Sequence, residues 1–162
     1  MSAAGEFTLR EKLPQYFVVR LSCAAFIVAL VALFSSCAVD QTRSGLPSEA
    51  QAAIDRVTEN IAAGHGEEVY QEAADEWRRA VSADENRATL ERVRETLGKV
   101  TSRALVSGME RQNGIGDLQG HAIIAKYNTK FERGDAIETF TLVEREGRWL
   151  LARYAVESNA LK

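Results

Sequence analysis

Cysteine is nearly missing from this sequence of 162 residues: Cys23 and Cys37 are the only two, and none follows position 37. A disulfide-stapled scaffold is thereby excluded, and the chain beyond Cys37 holds no thiol to oxidise. Histidine is as sparse, with only His65 and His121, whereas a zinc centre takes three or four convergent ligands. Proline (2) and glycine (11) are too few for a fibrous or disordered chain. A formal charge of −3 lacks the basic excess of a general nucleic-acid binder, so no nucleic-acid partner is expected. The length fits one domain with an appendage and excludes a multi-domain enzyme.

What is present is unevenly distributed. Leu21–Phe34 (LSCAAFIVALVALF) carries no charge and follows Arg10, Lys12 and Arg20. A basic start, a short apolar run and small residues at its end describe an export signal. The run is shorter than the ~20 apolar residues that span a bilayer, although extension through Val39 nearly reaches that length and leaves a retained transmembrane anchor open. Leu33-Phe34-Ser35-Ser36-Cys37 resembles the lipobox of bacterial lipoproteins, with Phe34 standing where leucine is usual. That resemblance implies cleavage before Cys37 and acylation of its thiol. A start nearer Val18 or Val19 gives a more ordinary signal. The expected organisation is a signal segment over 1–36, a polar tether over 37–46 and one domain over 47–162. A chain beginning at Cys37 has 17 basic and 21 acidic side chains.

Helical spacing comes first in that domain. Ser48 with Gln51 predicts a capping box, and Ala50, Ala53, Ile54, Val57 and Ile61 follow on one face until Gly64-His65-Gly66. Glu67–Ala74 reads as a short second helix, extending towards Trp77 and Val81. Ser82 with Glu85 predicts another capping box, opening a helix that carries Leu90, Val93 and Leu97 and stops at Gly98. The period then changes to two. Strands are expected over 101–110, 121–132, 136–145 and 148–157, with turns at Arg133-Gly134-Asp135 and Glu146-Gly147. Helices followed by hairpin-linked strands predict an α+β fold, with the N-terminal helices on one face of a curved antiparallel sheet of about four strands.

The progression Tyr70…Trp77-Arg78-Arg79-Ala80-Val81-Ser82, then Leu97-Gly98-Lys99…Arg103, Tyr127…Phe131, Glu138-Thr139 and Glu146-Gly147-Arg148-Trp149…Tyr154 resembles a family of exported bacterial domains of uncharacterised function. The similarity covers roughly Ile54–Val156. It implies a fold similar to the cystatin-like or nuclear-transport-factor-like cone, and it implies no particular activity.

Each chemistry-bearing residue has a structural reading beside its functional one. The glycine-rich string Gly114–Gly120 looks like a dinucleotide fingerprint but precedes a strand, not a helix, so it is expected to be a flexible connection without phosphate binding. His65 reads as a solvated loop histidine and His121 as a rim residue. Glu138 shares a strand face with Phe140 and Leu142. A carboxylate there is either a general acid or base or, the expected case, half of a structural ion pair with Arg103 or Arg153. Trp77, Trp149 and Tyr154, with Tyr70 and Tyr127, line either an apolar pocket or the core. Arg78-Arg79 and the charges of Arg87–Glu95 read as solvated helix faces with i,i+4 pairs. The resulting expectation is a lipid-anchored envelope protein with a non-catalytic binding domain and no cofactor or metal, whose partner is an envelope protein or a small apolar ligand. The alternatives are a bitopic assembly protein that keeps its apolar helix, and a cone-fold isomerase or hydrolase using Glu138.

Overall fold

The computed structural model describes residues 41–43 and 45–162, which belong to one compact unit, Ala38–Lys162. The expected signal segment and Cys37 lie outside the described residues.

Four helices precede the long strands: α1 (Ser48–Ala63), α2 (Gly66–Glu72), α3 (Asp75–Ala80) and α4 (Ala83–Leu97). The capping box expected at α4 forms, with the Ser82 hydroxyl accepting from Glu85 N–H and the Glu85 carboxylate accepting from Ser82 N–H. The one expected at α1 does not. Pro47, extended at φ −54° and ψ 143°, takes the N-cap position and offers no side-chain cap, so Ser48 is already helical and bonds Glu49. The Gln51 amide donates instead to Asp55 one turn on. The expected second helix is split. Ala73 and Ala74 are extended and buried, because Ala74 N–H reaches Leu151 C=O of the sheet at 2.8 Å. Charged pairs on these helices are i,i+3, as in Arg78–Asp75 and Arg87–Asp84, which use the acidic first turns.

The sheet is an antiparallel meander in the order β1 (Gln41–Arg43), β2 (Val100–Arg111), β3 (Ala122–Phe131), β4 (Gly134–Arg145) and β5 (Arg148–Glu157). The α+β class thus stands with four long strands, and the segment read as a tether adds a three-residue edge strand paired with Gly108–Glu110. Gly108 is glycine for a reason of space: a Cβ there would lie 2.7 Å from Leu46 Cδ2.

Alternation fixes the inner face. Ile123, Ala125 and Tyr127 of β3, Phe140 and Leu142 of β4, and Trp149 and Leu151 of β5 form one cluster with Ala50, Ala53 and Ile54 of α1. Helix α1 therefore packs directly against β5, the last strand. Burying an Ile54-sized side chain contributes about 1.5–3 kcal/mol. Three bulges interrupt the alternation, one at the start of β2, where Thr101 is the extra residue between Val100 and Ser102, and two further along. In β2, Leu105 and Ser107 pair with successive residues of β3, leaving Val106 as the extra residue. In β5, Leu151 and Arg153 pair with Leu142 and Thr141, leaving Ala152 as the extra one. The bulge in β5 reverses the parity, so Arg153 points outward to Asp117 and Tyr154 inward beside Phe140.

One side chain ties three helices together. Asn86 of α4 is fully buried; its Nδ2 donates to Gly66 C=O of α2 at 2.7 Å and its Oδ1 accepts from Trp77 Nε1 of α3 at 3.2 Å. On the outer face, the glycine-rich connection is not a loose loop. Ile115 and Leu118 exchange two main-chain hydrogen bonds of 3.0 and 3.1 Å, and the buried Leu118 packs on Ala122, Val143 and Ala152. Gly114 (φ +92°) permits that turn, since a Cβ there would meet Leu118 C=O at 2.1 Å.

Candidate functional site

Glu138 stands in the middle of β4 with its side chain 2% exposed. Arg103 Nε donates to its Oε2 at 2.7 Å, and the Thr129 hydroxyl donates to the same oxygen. The Tyr154 hydroxyl donates to Oε1 at 2.7 Å. Register explains the convergence: Arg103 opposes Thr129 across β2 and β3, while Tyr127 opposes Glu138 and Phe140 opposes Tyr154 across the next two pairs. The Arg103 guanidinium also lies 5.9 Å above the Phe140 ring. Of the two arginines the sequence offered, Arg103 is therefore the partner, and the β5 bulge sends Arg153 elsewhere.

Burial first, then the adjacent Glu138 carboxylate, push the Tyr154 phenol well above its ordinary 10.0. Burial raises Tyr127 too, against the opposing hydrogen bond with Gln51. An unfolded tyrosine releases its proton near pH 10, so the contribution of Tyr154 is complete below pH 10 and is lost as pH rises from there towards the folded value. Tyr154→Phe is expected to cost about 1–2 kcal/mol at neutral pH. It should also flatten the alkaline fall in stability, which urea midpoints measured between about pH 9 and 11 will read.

Two cavities flank Tyr154. The one reaching Glu138 is a crevice of about 40 Å³ between α1, α4 and β2, with Ile61, Val93, Arg103 and Phe131 among its walls. It has room for water and no more. The other is an open groove of about 870 Å³ between α4, the end of β5 and the C-terminal turn Asn159–Leu161. Val93 and Tyr154 line both and so stand between them. Arg92 of α4 donates to Leu161 C=O at 2.8 Å and fastens the turn that closes one end of the groove.

The three aromatic residues proposed as pocket lining do not share a cavity. Tyr154 lines the groove and the crevice; Trp77 and Trp149 line neither and lie in the main core cluster. Trp77 is held by Asn86, and Trp149 meets His121 edge-on at 4.7 Å. His121 is more than a rim residue. Its Nε2 lies 2.8 Å from Glu110 Oε1 and its Nδ1 lies against Glu144, so the ring joins the ends of β2 and β4. The two carboxylates occupy opposite nitrogens and cannot converge on one ion. Among the described residues no three His, Cys, Asp or Glu side chains form a metal site. His65 sits exposed ahead of α2. The groove and the His121 bridge escaped sequence reasoning, since each needs strand register or helix placement that no local motif encodes.

Fold and site together define a small α+β domain, a helical layer on an antiparallel meander, with a saturated buried ion pair beside an open groove. Residues 53–154, more than half of the chain, match the family described as a protein of unknown function (DUF4019), and the chain belongs to that family. It matches no curated protein and no solved structure.

Proposed function

We propose that this chain is a lipid-anchored cell-envelope protein whose domain binds a partner and catalyses no reaction. The observation that carries the non-catalytic part is the state of Glu138. Both of its oxygens are taken by Arg103, Thr129 and Tyr154, and the crevice beside it holds about 40 Å³, against the ~300–1,000 Å³ of a small-molecule site. A general base needs reach to a substrate proton, and this carboxylate has none to spare. The groove of about 870 Å³ has room for a ligand. The anchoring part rests on Leu21–Phe34 and the serines before Cys37. Acylation there gives durable attachment, since each buried methylene contributes ~0.8 kcal/mol and two or three chains outlast one. A cone-like bend of the sheet around the helices fits the bulges at Val106 and Ala152.

The test is the intact mass of the protein extracted from membranes. The expected species begins at an acylated Cys37. An unmodified full-length mass overturns the anchor and favours a bitopic protein that keeps Leu21–Val39 as a membrane helix.

A further inference from the structure

We infer that the groove between α4 and β5 takes an extended peptide of a partner protein, which adds to the sheet as a strand beside β5 and alternates apolar with basic side chains. The inference rests on the binding reading above and names the class of ligand.

Three observations lead to it. First, β5 is an edge strand. The extended Ala74 ahead of α3 satisfies its outer edge at Leu151 through its N–H, but among the described residues no hydrogen bond from beyond the sheet reaches the main chain of 153–157. Five residues of open edge extend about 16 Å, enough to pair with a short segment. Such edges are either protected or used. Second, the open stretch is the part walled by α4. A groove between a strand edge and a helix leaves one strand's width for a peptide, whose main chain pairs with β5 while alternate side chains drop towards the helix.

Third, the residues along β5 divide by face. Tyr154 and Val156 oppose the buried Phe140 and Glu138, so they face inward, towards Val93 and Leu161. Peptide side chains on that face meet an apolar floor. Ala155 and Glu157 oppose Thr139 and Ile137 and face outward. There Glu157 and Asp135 put two carboxylates along the groove, next to an Ile137 that is 43% exposed, while the two cations that also line it are already engaged, Arg92 by Leu161 C=O and Lys162 by Asn159 Oδ1. Neighbouring side chains on one face of a sheet interact, and opposite charges stabilise the pair. Apolar residues are therefore expected opposite Tyr154 and Val156, and lysine or arginine opposite Ala155 and Glu157.

The experiment selects random octapeptides against the full chain in detergent, then measures the affinity of a selected peptide by fluorescence anisotropy. Enrichment of alternating apolar and basic residues is expected. N-methylation of the peptide at alternate positions keeps its side chains but removes the donors that pair with β5, and in one of the two registers it should weaken binding about tenfold or more. Glu157→Lys, an exposed change that spares the core, should replace the basic preference with an acidic one. Selection without alternation, binding indifferent to N-methylation in both registers, or a charge preference unmoved by Glu157→Lys each overturns strand addition. Failure here with an acylated Cys37 removes the groove assignment alone. An unmodified chain that still selects such peptides removes the anchor alone.

Discussion

Glu138→Gln is expected to lower stability by about 3 kcal/mol, and with it the Tm by roughly 10 °C for a domain of this size. The substitution keeps shape and volume, so the loss isolates charge and hydrogen bonding. Three donors meet two carboxylate oxygens in the native cluster: Arg103 and Thr129 on Oε2, and Tyr154 on Oε1. An amide offers one acceptor oxygen, so at least one of those donors faces an NH₂ group. Arg103, its side chain 19% exposed, loses its counter-charge as well. Removing one partner of a buried pair leaves the other uncompensated, which is why the expected cost exceeds that of a surface salt bridge. The paired change Arg103→Met with Glu138→Leu should recover only part of the loss: it avoids the desolvation of both charges, but the Thr129 and Tyr154 hydroxyls lose their acceptor. Thermal unfolding of the single and double variants measures this. An unchanged Tm for Glu138→Gln together with a lost phenotype would return Glu138 to the role of a catalytic acid or base.

Asn86→Leu is expected to cost a similar amount, about 3 kcal/mol. Leucine fills the same space in an apolar cluster, and a reading by hydrophobicity alone predicts a gain. The structure predicts the reverse, because the Asn86 amide is the partner of two buried groups, the Trp77 indole N–H and the Gly66 carbonyl. The indole N–H left unsatisfied costs about 1–3 kcal/mol, and the Gly66 carbonyl, which keeps its bond within α2, loses its second donor. Urea unfolding with the m-value checked for constancy will show whether the loss lies in the native state. An Asn86→Leu variant more stable than the parent would mean that packing outweighs the helix junction.

The sequence and the structure agree where the determinants are local. The capping box at Ser82 needs three residues and no context, and it forms. The four long strands follow from alternation with turn residues between them, and they fall within two residues of the expected limits. The expected box at Ser48 has the same local pattern, but Pro47 already supplies the extended residue ahead of the helix and displaces it by one position. The choice between Arg103 and Arg153 was open for a different reason. Counting by twos from Trp149 through Leu151 puts Arg153 on the inner face. The extra residue at Ala152 moves Tyr154 there instead. A bulge has no dependable signature in one sequence, and one residue of slip exchanges the faces of everything beyond it. The groove lies further still from the sequence, because it is the space left between a helix and a strand edge.

The direct packing of α1 on β5 has a consequence for how the chain is born. About 85 residues separate the end of α1 from the start of β5, which at ~5–20 residues per second of synthesis is a delay on the order of ten seconds. Until it ends, Ala50, Ala53 and Ile54 lack the strand that α1 packs on most directly, and an α1 of 16 residues is only marginally stable alone. The hairpins between β2 and β5 join neighbours in sequence and so form quickly once present. The domain is thus completed from its far end, and a nascent chain halted before Arg148 exposes the first helix it made to whatever holds unfinished proteins.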